Sequence, residues 1–104
     1  MFYSNEPGYY EPDHFGIRIE SEMVATNVTL QYNFNDRGFL GFETLSLVPI
    51  QTKLLDPSLM TKEEITWINK YHQQCRDVVG KELMKQRRAR ALKWLIKETE
   101  PISK

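Results

Sequence analysis

Two glutamates, Glu6 and Glu20, are the residues whose types and positions could do chemistry. Glu6 directly precedes a Pro-Gly pair, a rigid turn that fixes the backbone presenting its carboxylate. Glu20 ends the segment FGIRIE, where the two-residue period of a strand places it with Arg18 on one face and puts Ile17 and Ile19 on the other. Charged groups on such a strand need partners, either each other or a metal ion. Spacing alone favours an ordinary half-exposed strand with an ion pair over a metal site.

Four other residues could be ligands or nucleophiles. His14 stands in a loop without a second His or Cys at metal-ligand spacing, which favours a solvated histidine. His72 and Cys75 are three residues apart on one predicted helix face, and packing among apolar neighbours explains them better than a metal or thiol pair. Glu43 is expected to point outward, opposite Phe42, and a role near a metal stays open for it.

A run of basic residues lies near the C-terminus, at residues 85–97. Clustered cations attract phosphates, so this run could bind nucleic acid or a membrane surface. The run lacks stacking aromatics on the same face, and Glu82, Glu98 and Glu100 offset its charge. A solvated helix face is therefore favoured, and we predict neither a nucleic-acid nor a membrane partner.

The elements that must position these residues change character along the chain. An aromatic run at residues 1–4, a turn at Pro7 and Gly8, and the Ile-, Val- and Thr-rich stretch 15–30 predict two or three strands. After a polar stretch at residues 33–38, an apolar strand is predicted over 39–50. We predict a small antiparallel β meander.

The second half is patterned as helix. Thr61 and Glu64 form a capping-box sequence that predicts a helix beginning at about Lys62. Apolar and small residues then recur at steps of three and four, which predicts one buried face. This face consists of Ile65, Ile68, His72, Cys75, Val79 and Leu83. Gly80 lies within the run and weakens the expectation of one continuous helix.

A second helix is predicted from the apolar patch at residues 91–96. It is expected to end near Pro101 and to follow a bend around residues 86–88. Strands followed by two helices place the chain in the α+β class.

Composition and length indicate one small globular chain. Of 104 residues, 40% are hydrophobic, 12% aromatic and 27% charged, which argues against a disordered or fibrous chain. The formal charge of zero hides an asymmetry, since residues 1–60 hold three Lys and Arg against eight Asp and Glu, and residues 61–104 hold eleven against six. One cysteine excludes an internal disulfide, and the N-terminus lacks a secretory pattern, so we expect a cytoplasmic protein.

Several segments together resemble a known family. NEPGYY and FGIRIE resemble the late part of the aminopeptidase P family of pita-bread metallopeptidases, and the resemblance continues through YNFNDRG, FETLSLVPIQTKL, WINKYHQQCRDVVGKEL and WLIKETEPISK. The first two motifs are shared with prolidase-like relatives, whereas the helical part is similar to the cytosolic aminopeptidase P type. The resemblance implies that residues 1–56 are the C-terminal portion of a pita-bread catalytic domain and that residues 57–104 are a helical extension.

The same resemblance implies a metal site. In this family a dinuclear centre, typically of manganese, is held by two Asp, one His and two Glu. Glu6 and Glu20 are implied to be the two Glu, with Glu20 bridging both metals and Glu6 bound to one beside the activated water, where it is also catalytic. Hard carboxylates suit Mn²⁺, although Zn²⁺ or another divalent ion is possible. Arg18 is implied to orient a ligating carboxylate, and Gly16 to keep that face uncrowded.

Three departures from the family pattern accompany the resemblance. Asp13 stands where the family often has Gly in the loop between the two ligands, and Arg87 stands where relatives can have Gly between the terminal helices. The family's two Asp, its metal-binding His and its substrate-positioning His residues lie upstream of residue 1. The isolated chain is therefore expected to be a catalytically incomplete fragment.

Two functional hypotheses follow. In the first, the chain is part of a dinuclear-metal Xaa-Pro aminopeptidase that cleaves the N-terminal residue from peptides with proline in second position, and that forms a homodimer through this C-terminal part. In the alternative, it is a non-catalytic interaction module that presents its basic C-terminal helix to a partner, and Glu6 and Glu20 have no metal role. An upstream reading frame that encodes the missing ligands would support the first hypothesis.

Overall fold

The computed structural model describes residues 1–28 and 39–104. The chain divides into two compact units, Met1–Ser46 and Leu47–Lys104. Described strands occupy the first unit and helices the second, so the predicted α+β class is confirmed. The polar stretch 33–38 and the end of the strand predicted over 15–30 lie outside the described residues. The assignment of residues 57–104 to a family-specific extension stays a prediction.

The described part of the first unit contains antiparallel strands, and β2 pairs with β3 while β4 pairs with both β1 and β5. The strands are β1 (Phe2–Asn5), β2 (Gly8–Glu11), β3 (Phe15–Arg18), β4 (Ser21–Val28) and β5 (Phe39–Thr44). The chain thus forms one long hairpin with β1 and β2 in one arm and β3 and β4 in the other, to which β5 adds an edge. Strand β2 was missed at the sequence level, because Gly8 was assigned to a turn although it begins this strand.

The two ribbons of the hairpin share one register. The β1–β4 ladder ends at the pair Asn5 and Ser21, and the β2–β3 ladder begins at the pair Gly8 and Arg18. Two residues separate these pairs on each arm, so the pairing continues across the gap without a bulge.

The gap contains both candidate carboxylates. Ile19 donates its N–H to the carbonyl of Pro7 at 3.0 Å, but proline has no N–H to return, which interrupts the ladder. The shared register then leaves Glu6 directly opposite Glu20.

Alternation along the arms gives this hairpin two unlike faces. One face carries Ser4, Glu6, Gly8, Gly16, Arg18, Glu20 and Glu22. The other is mainly aromatic and aliphatic, with ring contacts between Tyr3 and Phe42 at 5.5 Å and between Tyr9 and Phe15 at 6.1 Å. The predicted separation of Ile17 from Arg18 onto opposite faces is confirmed.

A three-residue loop joins β2 to β3. His14 donates its N–H to the carbonyl of Glu11 at 3.0 Å, and Asp13 adopts a left-handed φ of 61°. Short hairpin loops of this length need one left-handed residue, and aspartate tolerates that conformation better than most side chains do. The backbone conformation of Asp13 is thus one that favours glycine.

The apolar strand predicted over 39–50 was wrong in its end, because β5 ends at Thr44. Beyond Thr44 the backbone bonds elsewhere. Leu45 donates its N–H to the carbonyl of Glu22 at 2.7 Å. The Val48 carbonyl accepts from the Tyr71 hydroxyl at 2.8 Å. Residues 47–50 therefore belong to the helical unit.

Two helices form the second unit, together with two short 3₁₀ helices at Thr52–Leu54 and Pro57–Leu59. Helix α1 (Lys62–Lys85) begins with the predicted capping box, which is confirmed by reciprocal hydrogen bonds between Thr61 and Glu64 of 2.9 and 3.1 Å. The concern about continuity at Gly80 was wrong, since α1 continues through this residue to Lys85. A Cβ there would stand 3.5 Å from Leu92, so the glycine lies at the contact between the helices.

Helix α2 (Ala89–Glu98) follows the predicted bend, where Arg87 has a left-handed φ of 56°. The predicted buried face of α1 is confirmed for four of its residues, which are Ile65, Ile68, His72 and Cys75. Tyr71 and, from α2, Leu95 join this core.

The end of the chain is tied back to α1 by two polar side chains. Arg76 donates to the Thr99 hydroxyl at 3.0 Å and to the carbonyls of Ile96 and Thr99 at 3.2 and 3.0 Å, which satisfies groups left open at the end of α2. Asn69 exchanges two hydrogen bonds with the backbone of Ile102, at 2.8 and 2.9 Å.

Candidate metal centre

Glu6 is held at both of its carboxylate oxygens. The Ser4 hydroxyl donates to Oε2 at 2.5 Å, and Arg18 donates through Nη1 to Oε1 at 3.3 Å. Arg18 comes from the opposite arm, so this ion pair spans the hairpin. Arg18 was predicted to share a strand face with Glu20, and the ion pair that it makes is with Glu6 on the opposite arm.

The electrostatic surroundings favour an ionised Glu6. The hydrogen bond from Ser4 is the largest influence on Glu6 and lowers its pKa. Desolvation comes next and opposes it, while the charge of Arg18 and the hydrogen bonds with Glu20 and Arg18 lower the pKa further. Such a carboxylate is fully charged at neutral pH, and its oxygen atoms can bind a cation.

Two glycines determine how the side chains of this face lie. A Cβ at Gly8 would stand 2.7 Å from Cγ of Arg18, so the absence of a side chain at Gly8 lets Arg18 pass across the strand toward Glu6. A Cβ at Gly16 would stand 2.9 Å from Cδ1 of Tyr10. The absence of a side chain at Gly16 therefore leaves room for the Tyr10 ring, which lies over it.

The pair of opposed glutamates suits a hard divalent cation, because carboxylate oxygens are the ligands that such ions prefer. Within residues 1–28 and 39–104, no group of three or more His, Cys, Asp and Glu is arranged to hold a metal ion. Glu6 and Glu20 can thus supply two carboxylates to a larger donor set but do not make a complete site by themselves.

The remaining candidates each have contacts of their own. His14 is an exposed loop residue whose Nδ1 is 2.8 Å from the Pro12 carbonyl. His72 is fully buried, and its Nε2 accepts the Ile50 N–H at 3.0 Å. Cys75 is also fully buried, so the structural interpretation of these two helical residues is confirmed. Burial lowers the pKa of His72 and raises that of Cys75.

Glu43 and the basic run are both exposed. Glu43 is exposed and pairs in register with Val24, four residues along β4 from Glu20, which is about 13 Å of extended strand. The side chains of the basic residues between 85 and 97 are exposed along the end of α1 and α2. Among the described helices, none is both long and apolar enough to cross a bilayer.

Ser4 and Gly8 are the site residues that sequence reasoning missed. Ser4 could have been found from its position two residues before Glu6, which places both on one strand face. Gly8 gave no such signal, because a Pro-Gly pair indicates a turn and carries no information about a partner on the opposite arm.

Comparison with known proteins identifies relatives along almost the whole chain. A family model described as the C-terminal region of peptidase M24 matches residues 38–102. A protein of Coprinopsis cinerea named probable Xaa-Pro aminopeptidase P is 50% identical over 98% of the chain, and aminopeptidase P1 of Arabidopsis thaliana is 43% identical over 99%. The chain spans only 16% and 15% of the length of these two relatives.

A solved structure has a similar fold. The X-prolyl aminopeptidase of Caenorhabditis elegans, described as a cytosolic enzyme with a dinuclear active site, matches 97% of this chain with a TM-score of 0.87 and 39% identity. The chain covers 16% of that protein and corresponds to the C-terminal part of its pita-bread domain. Since the family model covers more than half of its residues, the chain belongs to the peptidase M24 family, within the C-terminal region of that family.

Proposed function

We propose that this chain supplies Glu6 and Glu20 as metal ligands to the dinuclear active site of a cytoplasmic Xaa-Pro aminopeptidase. The observation that carries the proposal is the direct opposition of the two carboxylates across one continuous hairpin register. The relatives that are named as aminopeptidases P, and the dinuclear nematode enzyme, support it.

In this proposal Glu20 would be a ligand of both divalent ions and Glu6 a ligand of one, and Mn²⁺ is the expected metal, with Zn²⁺ as the substitute. Such ions, when bound, polarise the scissile carbonyl and lower the pKa of water. Arg18 orients the carboxylate of Glu6 from the opposite arm before the ions bind, which its present ion pair supports.

Glu6 has the catalytic role in this part of the site. Its carboxylate is charged at neutral pH, so that it can accept a hydrogen bond from the reacting water and hold that water toward the peptide. The remaining ligands and the groups that bind a proline-containing peptide come from the upstream part of the enzyme, so the isolated chain is inactive.

The helical unit has an assembly role in the proposed enzyme, as part of a homodimer contact. Trp67 and Trp94 are about half exposed, at 49% and 54%, and aromatic residues contribute strongly to such contacts. Tyr71 is buried at 6% exposure and stacks on Trp67 at 5.6 Å, so it supports that ring from within the unit.

The proposal is tested in a full-length enzyme that carries this chain in place of the corresponding segment of the nematode protein. Glu20→Ala is expected to abolish metal loading and to lower turnover by on the order of a hundredfold or more, because a bridging carboxylate contacts both ions. Metal stoichiometry and Xaa-Pro peptide cleavage are measured on the same preparations.

The matched control is Glu22→Ala, which removes the next carboxylate along the same face and should leave both measurements within about threefold of the parent. Two tightly held metals with ordinary turnover in Glu20→Ala would refute the assignment. That outcome would favour the alternative of a non-catalytic interaction module.

A further inference from the structure

The contact between Ser4 and Glu6 stands out among the contacts of the glutamate pair. Ser4 lies on β1 two residues before Glu6, so both side chains project from the same face. The hydroxyl donates to Oε2 at 2.5 Å, whereas the Arg18 contact at Oε1 is longer, at 3.3 Å.

The two donors differ in what happens when a cation binds beside Glu6. The guanidinium of Arg18 is positively charged, and like charges at contact distance repel, so a metal ion at Oε1 competes with Arg18 for that oxygen. A hydroxyl is neutral and can continue to donate to Oε2 while the other oxygen binds the cation. Ser4 is therefore the partner that can hold the carboxylate in both states.

Holding one oxygen has a consequence for the other. A glutamate side chain has three rotatable torsions, and an exposed one loses rotamer freedom when it binds. A hydrogen bond at Oε2 that exists before binding removes part of that loss and leaves Oε1 directed to the opposite arm, where it now contacts Arg18.

We propose that Ser4 is a positioning residue for Glu6, which fixes Oε2 and thereby presents Oε1 to the metal. This inference rests on the proposed function, because it assumes that Glu6 is a ligand. It assigns a role in metal affinity to a side chain that need not touch metal, water or substrate.

The chain offers a matched control for the chemistry of this contact. The Tyr9 hydroxyl donates to Oε2 of Glu11, also two residues away and also at 2.5 Å, but from the opposite face of the same hairpin. Tyr9→Phe removes a hydroxyl from an equivalent contact without affecting the glutamate pair.

The test compares Ser4→Thr with Ser4→Val in the full-length enzyme that carries this chain. Both side chains are β-branched and suit a strand, so neither should disturb folding, and only threonine keeps the hydroxyl. Mn²⁺ affinity is measured by calorimetry without substrate, and the electron paramagnetic resonance spectrum of the bound ions is recorded.

Ser4→Val is expected to bind Mn²⁺ about 10- to 100-fold more weakly, the usual range for loss of a group that orients a metal ligand, with an altered spectrum. Ser4→Thr and Tyr9→Phe should stay within about threefold of the parent. Affinity in Ser4→Val within about twofold of that in Ser4→Thr would overturn the inference.

Glu6→Ala separates this failure from failure of the proposed function. If Glu6→Ala loses metal while Ser4→Val keeps the Mn²⁺ affinity of the parent, only the role of Ser4 is refuted. Unchanged metal binding in Glu6→Ala removes the ligand assignment and the role of Ser4 with it.

Discussion

The two compact units of the chain differ in how their residues are covered. All described residues that are buried lie in the helical unit, where Leu95 is 1% exposed and Ile68 is 4% exposed. In the first unit, ladders of hydrogen bonds join the strands, but none of its described residues is buried. Its aromatic side chains are largely open, with Phe15 and Phe42 both 61% exposed.

The placement of the glutamates and the stability of the chain therefore depend on different interactions. Backbone ladders place Glu6 opposite Glu20, but a hydrogen bond contributes only about 1 kcal/mol net. Burial of apolar surface contributes about 25 cal/mol per Å² and is concentrated in the helical unit. We therefore expect the site-bearing strands to depend on apolar contacts from the rest of a longer protein, while the helices can hold together by themselves.

The largest expected effect is loss of function in the isolated chain. Two carboxylates without a nitrogen donor leave most metal coordination to water, so we expect no aminopeptidase activity and weak Mn²⁺ binding. Calorimetric titration and an Xaa-Pro peptide cleavage assay would measure both. Mn²⁺ binding in the micromolar range or tighter, together with peptide cleavage, would show that the strands form a working site without the rest of a longer protein.

A cavity in the helical core should cost more than the same truncation in the strands. Leu95→Ala is expected to lower the free energy of unfolding by about 2–5 kcal/mol, because Leu95 is buried between the helices. Leu40→Ala, at a β5 residue that is 73% exposed, should change it by less than about 0.5 kcal/mol. Urea unfolding followed by helical circular dichroism compares them, and equal losses would contradict the assignment of the core.

The helical unit should lose stability in mild acid through His72. Burial holds the pKa of His72 below its ordinary value of 6.5, helped by the charge of Arg76, so the unfolded chain takes up a proton first as pH falls. Stability is complete above pH 6.5 and is lost as pH falls through the lower folded pKa. A proton on Nε2 would also displace the Ile50 N–H.

Urea midpoints at about pH 7.5 and 5.5 would measure this loss. His72→Gln keeps a hydrogen-bond acceptor but does not titrate, so its urea midpoint should change less with pH than that of the parent. His14→Gln should show the same pH dependence of the midpoint as the parent. If the urea midpoints of the parent and of His72→Gln fell equally between the two pH values, His72 would not be the cause of the acid sensitivity.

The smallest expected effects concern the two left-handed residues. Arg87→Gly should stabilise the helical unit by about 1 kcal/mol or less, since relief of the strained φ exceeds the added entropy of the unfolded chain. Asp13→Gly should leave the helical transition unchanged, because this loop lies in the other unit. Thermal unfolding monitored at the helical signal tests both, and destabilisation by Arg87→Gly would contradict the strain argument.

Local signals in the sequence predicted much of this fold. The capping box at Thr61 and the buried stripe through Cys75 depend on neighbours within four residues, so periodicity was sufficient for them. The bend at residues 86–88 was equally local. Arg18 and Glu20 were placed on one face from the two-residue period of a strand, which is also local.

Long-range pairing could not be predicted in the same way. The partner of β1 is β4, which lies beyond an inserted hairpin, and no local pattern distinguishes this pairing from a simple meander. The contact of Arg18 with Glu6 depends on that pairing and on the space left by Gly8. The end of β5 was placed too late because Val48 and Ile50 are apolar, although their backbone groups bond to side chains of α1.

The shared register of the two ribbons restricts changes of length in this part of the chain. Fourteen positions separate Glu6 from Glu20, and the tip at residues 12–14 sets which residue of one arm meets which residue of the other. An insertion or deletion of one residue that slips an arm by one position would turn Glu20 toward the aromatic side and bring Ile19 or Ser21 to its place. Substitutions at the tip leave this count unchanged, so Asp13 can replace glycine at a modest conformational cost, whereas a single added residue could remove a carboxylate from the site.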